Sequence, residues 1–248
     1  MWGIIPAAGK GSRIQPLAFS KELLPMGTYE GEVRRPRAVS DFLMERFTIA
    51  GATRICFVIS ADKSDILEYY GGSAWSASIC YTVQPQPAGL CDAIFRGLPV
   101  IVPDQPVLVG LPDTIWFPDD GLAALPDDRF PFLLFPVKEP QFFDSVECDE
   151  QGRVLRIRVK DPEAKSNRIW GAFKLPGRTL QELFDLWVER GRSDEYLGTL
   201  VNAWLERGGE AWGVPAGVSY YDVGTMDGYV EAMKMLSEQR HLSGKKVA

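Results

Sequence analysis

Short, continuous apolar runs alternate along this chain with stretches whose apolar residues recur every three or four positions. The runs at 2–6 and 54–60 read as buried strands. Between them, residues 38–50 set Phe42, Leu43, Phe47 and Ala50 on one face of a helix. The pattern continues with a helix at 63–70, a strand at 78–83, a helix at 89–98 and a strand at 106–110. Strands alternating with helices of these lengths predict a parallel arrangement covered by helices on both faces. Half of the 18 prolines then fall between Pro99 and Pro140, which excludes long helices there. Short strands, turns and one brief helix near 120–125 are expected instead.

Beyond residue 140 the alternation changes. Segments 142–148 and 153–160 flank Asp149-Glu150-Gln151-Gly152, which reads as a hairpin turn. A strand at 168–175, helices at 178–190 and 195–207, a strand at 217–222 and a helix at 226–239 complete the pattern. The charged stretch 29–35 reads as a mobile loop with no assignable chemistry, and 244–248 as a frayed tail. The fold class is α/β: a Rossmann-like, mixed but mainly parallel sheet flanked by helices, with a smaller β/α part. No linker divides the chain, so 1–248 is expected to form a single domain.

Composition narrows the possibilities. Of the 248 residues, 46% are hydrophobic and 24% charged, ordinary values for a globular protein. No apolar run approaches the length of a membrane span, and the N-terminus lacks the basic and apolar regions of a signal peptide. The expected location is the cytoplasm, with no membrane partner. A net charge of −6 disfavours a nucleic-acid partner, which requires a clustered basic surface. The four cysteines (Cys56, Cys80, Cys91 and Cys148) form no C-x-x-C pair, and the single histidine is His241. Zinc-ligand spacing is absent, and a His-activated Ser or Cys nucleophile is disfavoured.

The chemistry concentrates at the start. Ile4-Ile5-Pro6-Ala7-Ala8-Gly9-Lys10-Gly11-Ser12-Arg13-Ile14-Gln15-Pro16 runs from an apolar strand into a turn of small residues. Ala7, Ala8, Gly9, Gly11 and Ser12 allow backbone N–H groups to approach an anion closely. Arg13 and Lys21 can neutralise a polyphosphate. A dinucleotide fingerprint would need a third glycine where Ile14 stands, and Gly11-Ser12-Arg13 is not a Gly-Lys-Ser/Thr phosphate loop. A plain glycine turn between strand and helix is the alternative. Asp113 and Asp222 each follow an apolar strand, where open α/β sheets bind ligands and where hard oxygens suit magnesium; each also suits a cap or turn. Gln84, in Gln84-Pro85-Gln86-Pro87-Ala88-Gly89-Leu90, carries both a donor and an acceptor and suits a nucleobase edge.

Together these segments resemble the sugar-1-phosphate nucleotidyltransferases, nearest to their thymidylyl- and uridylyltransferase branch. The carriers are G-x-G-S-R-x-x-P with Ser20-Lys21-Glu22-Leu23-Leu24-Pro25, the Gln84 block, Pro112-Asp113-Thr114, Lys160-Asp161-Pro162 with Lys165-Ser166-Asn167, and Tyr220-Tyr221-Asp222-Val223-Gly224-Thr225. The likeness spans Trp2 to about Leu236. It implies transfer of a nucleotidyl group from a nucleoside triphosphate, dTTP or UTP, to a sugar 1-phosphate with release of pyrophosphate. It further implies that Asp113 and Asp222 hold Mg²⁺, Arg13 and Lys21 hold the triphosphate, Gln84 and Gly89 select the base, and Lys160 grips the sugar phosphate. Gly171 matches a family glycine, and Tyr220 stands at a family Trp position in the sugar pocket. Residues 1–129 would then bind nucleotide, and about 130–240 the sugar phosphate. A homo-oligomer, dimer or tetramer, is also implied.

Three positions depart from the pattern. Val159 replaces the Glu of E-K-P, Asp144 replaces a glycine, and Thr114 replaces an asparagine. The family Glu and Gly help hold sugar hydroxyls. Two other readings therefore stand beside the first. One is transfer to a different phosphorylated acceptor, such as a phospho-alcohol or phospho-amino alcohol. The other is a non-catalytic nucleotide-sensing module.

Overall fold

A computed structural model describes residues 1–29 and 35–244. Most of the 29–35 loop, and residues 245–248 of the expected tail, lie outside the described residues. The strands are β1 (Trp2–Pro6), β2 (Pro25–Tyr29), β3 (Arg35–Ala38), β4 (Arg54–Ile59), β5 (Ser73–Ala74), β6 (Ala77–Val83), β7 (Pro106–Gly110), β8 (Thr114–Phe117), β9 (Pro131–Pro136), β10 (Asp144–Cys148), β11 (Val154–Val159), β12 (Arg168–Pro176), β13 (Trp212–Val214) and β14 (Ser219–Asp222). The helices are α1 (Val39–Ile49), α2 (Ser64–Tyr70), α3 (Gly89–Arg96), α4 (Gly177–Glu189), α5 (Leu197–Glu206) and α6 (Met226–Gly244).

The main sheet runs β11-β10-β12-β7-β1-β4-β6-β5, with β9 and β13 branching from β12. Its centre is parallel: β1 pairs with both β4 and β7, and β4 pairs with β6. Strands β1, β4 and β7 are covered on both faces, which is why their sequences are continuous apolar runs. Strand β12 pairs antiparallel with β7, β9 and β10, β9 pairs parallel with β13, and β10 and β11 form the expected hairpin. The chain builds outward from β1 through β4 and β6, then returns to place β7 on the other side of β1. Loops after β1 and β7 thus meet at a switch point, the usual ligand position in open α/β sheets.

Helices α3, α4 and α5 pack on one face around Phe95, Leu183, Trp187 and Leu200. On the other face α1 and α2 contribute Leu43, Phe47, Ile66 and Tyr70. Phe47 lies directly on β1: a Cβ on Gly3 would come within 2.4 Å of its Cδ2, so a glycine is needed for the helix to seat.

One local expectation is corrected. Residues 120–125 form successive turns, not a helix, because Pro118 and Pro126 bracket a stretch too short to nucleate one. On either side of the charged stretch, β2 and β3 pair antiparallel, two short strands that the sequence pattern does not show. No described helix is long and apolar enough to cross a membrane. The four cysteines are free, with Cys56 and Cys91 buried.

Phe47 is fully buried, so Phe47→Ala should cost about 3–5 kcal/mol of stability in urea denaturation. A loss below about 1 kcal/mol would contradict this account of how α1 seats on the sheet.

Candidate active site

The β1 strand ends at Pro6, and the chain leaves the sheet through residues 7–13. Ala7 and Ala8 are buried, while Gly9 is open, with nothing near its missing Cβ. Ala7 donates its N–H to Val58 O at 2.7 Å, which anchors the loop on β4. From Ala8 to Arg13 no backbone N–H has an acceptor among the described residues, and the next amide, Ile14, turns back to Gly11 O at 3.0 Å. A run of free amides on small residues is an anion cradle. Gly11 adopts φ +64°, and a Cβ there would lie 2.6 Å from Lys21 Cδ. Glycine therefore serves both the turn and the passage of Lys21 across it.

The four charged groups expected at this mouth do converge. Lys21 donates to Asp113, in a pair largely shielded from water. Arg13 Nη1 donates to Asp222 Oδ2 at 3.0 Å, with the guanidinium largely exposed. Strand pairing brings the two aspartates together: β14 runs antiparallel to β8 with Asp222 opposite Thr114, and Val223 N donates to Asp113 O at 2.9 Å. Gly224 marks the meeting point. A Cβ on it would lie 2.8 Å from Asp113 Oδ2, 2.9 Å from Asp222 Oδ1 and 3.3 Å from Arg13 Nη2.

Burial and charge oppose each other here. Burial pushes the Asp113 carboxyl up, but Lys21, a backbone hydrogen bond and Arg13 together hold it below the usual carboxylate range. Burial likewise works against Lys21, and Asp113 and Glu22 more than offset it, so its ammonium stays above the ordinary lysine value. Both groups are therefore charged at neutral pH.

A cleft of about 220 Å³ opens from this cluster. Arg13, Asp113 and Asp222 line it together with Asp144, Lys160, Trp170, Tyr196 and Tyr220. Lys160 closes the β10–β11 hairpin region with φ +46°; its N–H donates to Phe143 O at 3.0 Å, and its Nζ sits 4.6 Å over the Tyr196 ring. Gly171 lies behind the cleft, where a Cβ would strike the rings of Phe135 and Tyr220, each at 2.7 Å. Its smallness lets Tyr220 take its place.

The departures at Val159 and Asp144 are linked. The two residues are directly opposite in the antiparallel register of β10 and β11. Opposed residues of such a pair share a face of the sheet. The carboxylate absent at 159 thus reappears on the neighbouring strand. Burial pushes Asp144 up to about 6, against the opposing pull of Trp170 and Lys160.

Gln84 and Gly89 do not line this cleft, although Leu90, next in sequence to Gly89, does. Gln84 is buried, and its Nε2 donates to Asp92 Oδ2 at 2.9 Å and to Gly89 O at 3.1 Å. Both amide protons are committed to acceptors, so only Oε1 remains for a ligand. Gly89 has φ +82°, and a Cβ there would lie 2.6 Å from Glu195 Cα. Packing against the segment before α5 is enough to require glycine at this position.

Sequence reasoning missed Lys63, Glu22 and Gly224. Lys63 donates to the carbonyls of Ala7 and Gly9 and to Glu22. Nothing in its local sequence announces this contact, which exists only once β4 lies beside β1.

Free amides after β1, two converging carboxylates and two cations thus lie together at the switch point of an α/β sheet. The chain matches the family described as Nucleotidyl transferase over residues 2–239, and it belongs to that family. It is 27% identical over 259 residues to the glucose-1-phosphate thymidylyltransferase of Neisseria meningitidis serogroup A, covering 100% of this chain and 86% of that protein. A UDP-glucose pyrophosphorylase complexed with UDP-glucose superposes with a TM-score of 0.77 at 20% identity, over 96% of this chain and 98% of that one. A UTP-bound UGPase from Acinetobacter baumannii gives a TM-score of 0.75 at 20% identity, over 95% and 92%. The two structural likenesses are of fold.

Gly224→Ala places a methyl group between the two carboxylates. It should cut nucleotidyl transfer at least ~10-fold while leaving the fold intact. Steady-state kinetics beside a thermal melt checks this, and full turnover in the variant would contradict the geometry.

Proposed function

We propose that this nucleotidyltransferase transfers a nucleotidyl group from dTTP or UTP to a sugar 1-phosphate, giving a nucleotide sugar and pyrophosphate. The observation that carries the reading is the convergence of Arg13, Lys21, Asp113 and Asp222, paired across the cluster, on a cleft that Lys160 also lines. Two phosphate-bearing substrates repel: at ~4 Å and an effective dielectric of ~20, each pair of unit charges costs about 4 kcal/mol. The site must offset that repulsion, and its groups are suited to do so.

The free amides of Ala8, Gly9, Gly11, Ser12 and Arg13 would hold the phosphate chain. Arg13 and Lys21, resting on aspartates in the free protein, would turn to the α-phosphate and the departing pyrophosphate. Asp113 and Asp222 fit Mg²⁺, which commonly takes one or two carboxylates and completes its shell with substrate phosphates and water. When bound, the ion supplies positive charge on the phosphates. Lys160 would hold the acceptor phosphate in line. That phosphate has a second pKa of about 6 and arrives largely ionised, so no general base is required. The attacking oxygen forms the new P–O bond as the bond to pyrophosphate breaks. The Oε1 of Gln84, with both of its amide protons committed, can accept the N3–H of uracil or thymine, which favours UTP or dTTP. Gly89 would contribute through its backbone alone. A triphosphate substrate fits a cytoplasmic reaction.

At the acceptor end, Asp144 would accept hydroxyl hydrogens, with Tyr220 and Gly171 shaping the wall. A half-buried carboxylate beside Trp170 and Tyr196 also suits an ammonium group. That observation favours a second reading, in which the acceptor is a phospho-amino alcohol.

Pyrophosphate release measured with Mg²⁺, nucleoside triphosphates and a panel of sugar 1-phosphates and phospho-amino alcohols separates these readings. Turnover is expected with UTP or dTTP and a sugar 1-phosphate, and loss of at least ~10²-fold in Asp113→Asn. Triphosphate binding with no pyrophosphate from any acceptor would instead mark a sensing module.

Asp144→Asn separates acceptor binding from stability. Because the folded-state carboxyl lies above its unfolded value, Asp144 binds more protons folded than unfolded near pH 5, so its contribution to stability falls as pH rises from about 4 to about 6 and is level above that. The variant should be as stable as the parent or more so at pH 7, with the acceptor KM raised about 10-fold and the triphosphate KM unchanged. An unchanged acceptor KM would remove Asp144 from the pocket's function.

A further inference from the structure

We propose that Lys63 is a positioning residue for the triphosphate loop, resting on the reading of residues 8–13 as a phosphate cradle. Lys63 lies just ahead of α2, with its side chain almost fully buried. Its ammonium donates to Ala7 O at 2.7 Å, to Gly9 O at 2.8 Å and to the two carboxylate oxygens of Glu22 at 2.9 and 2.8 Å. A lysine ammonium has three protons, and two carbonyls and one carboxylate use them all.

The consequence lies on the opposite side of the peptide planes. In a trans peptide, the carbonyl of one residue and the N–H of the next point in opposite directions. Drawing Ala7 O toward Lys63 turns the Ala8 N–H away from it. Drawing Gly9 O inward turns the Lys10 N–H away in the same manner. Neither amide has an acceptor among the described residues. Ala8 is buried as a residue, so an unpaired N–H there is costly unless a ligand meets it. Lys63 therefore holds from behind the side of the loop whose front faces the phosphates.

The same turn grips the other half of the site. Glu22, beside Lys21 in sequence, is held by Lys63, while Ser20 N and Oγ each donate to Asp65 at 2.6 Å. The segment carrying Lys21 and the loop carrying the free amides are thus fastened to neighbouring residues at the start of α2, Lys63 and Asp65. A buried ion pair adds little stability over an apolar pair of similar volume. What Lys63 adds is the orientation of two peptide groups.

The test uses Lys63→Met and the double variant Lys63→Met/Glu22→Leu in the full chain, read by thermal melting and by the KM for each substrate. The single variant leaves the Glu22 carboxyl buried and unpaired and should melt lower. The double variant removes both charges and should recover the melting temperature. Both variants should show a triphosphate KM raised at least ~10-fold, with the acceptor KM within about twofold of the parent. A double variant that melts like the parent and keeps the parent's triphosphate KM overturns the proposal. So does a triphosphate KM in the single variant that stays unchanged while its melting temperature falls. A parent protein that neither binds triphosphate nor releases pyrophosphate overturns the cradle reading itself, a result distinct from the other two.

Discussion

Asp113 keeps its charge while buried because Lys21 sits against it, and the surrounding structure is arranged to keep that pair in place. Lys21 can reach the carboxylate only by crossing Gly11, where a side chain would block it. Asp113 meets Asp222 only because β14 pairs with β8 in a register that sets residue 222 opposite residue 114. The β8 strand is tied in turn to α1 by the buried guanidinium of Arg46, whose Nε donates to Trp116 O at 3.0 Å. Helix α1 lies on β1 through Phe47. Each link is ordinary packing or hydrogen bonding, and together they hold two carboxylates and two cations at the switch point of the sheet.

Much of this was legible in the sequence because the information is local. The central strands β1, β4 and β7 are buried on both faces, so their apolar runs are unbroken. The cradle, Lys21 and the two aspartates fall in short motifs whose chemistry follows from residue type and spacing. Elements defined by distant partners were not legible. Strands β5 and β13 have two and three residues and exist only by pairing with β6 and β9. Residues 120–125 have helical composition, yet the prolines around them leave only turns. Lys63 is unremarkable in sequence, and its partners lie 41 or more positions away.

The acceptor end shows the same limit from another side. Read along the chain, Val159 and Asp144 are two separate departures, both of which count against a sugar. Across the β10–β11 pair they are one exchange between facing positions. The carboxylate remains on the wall of the cleft, beside Trp170 and Tyr196. Three-dimensional register relates the two positions, which share one face of the β10–β11 pair.

The central claim is that positioned cations drive a direct displacement at the α-phosphorus, with no protein nucleophile and no general base. The most direct measurement is the stereochemical course with a nucleoside triphosphate carrying a chiral phosphorothioate at the α-position. A single in-line displacement predicts inversion of configuration in the nucleotide-sugar product. Retention would require two displacements through a covalent enzyme–nucleotide intermediate, and would contradict the account.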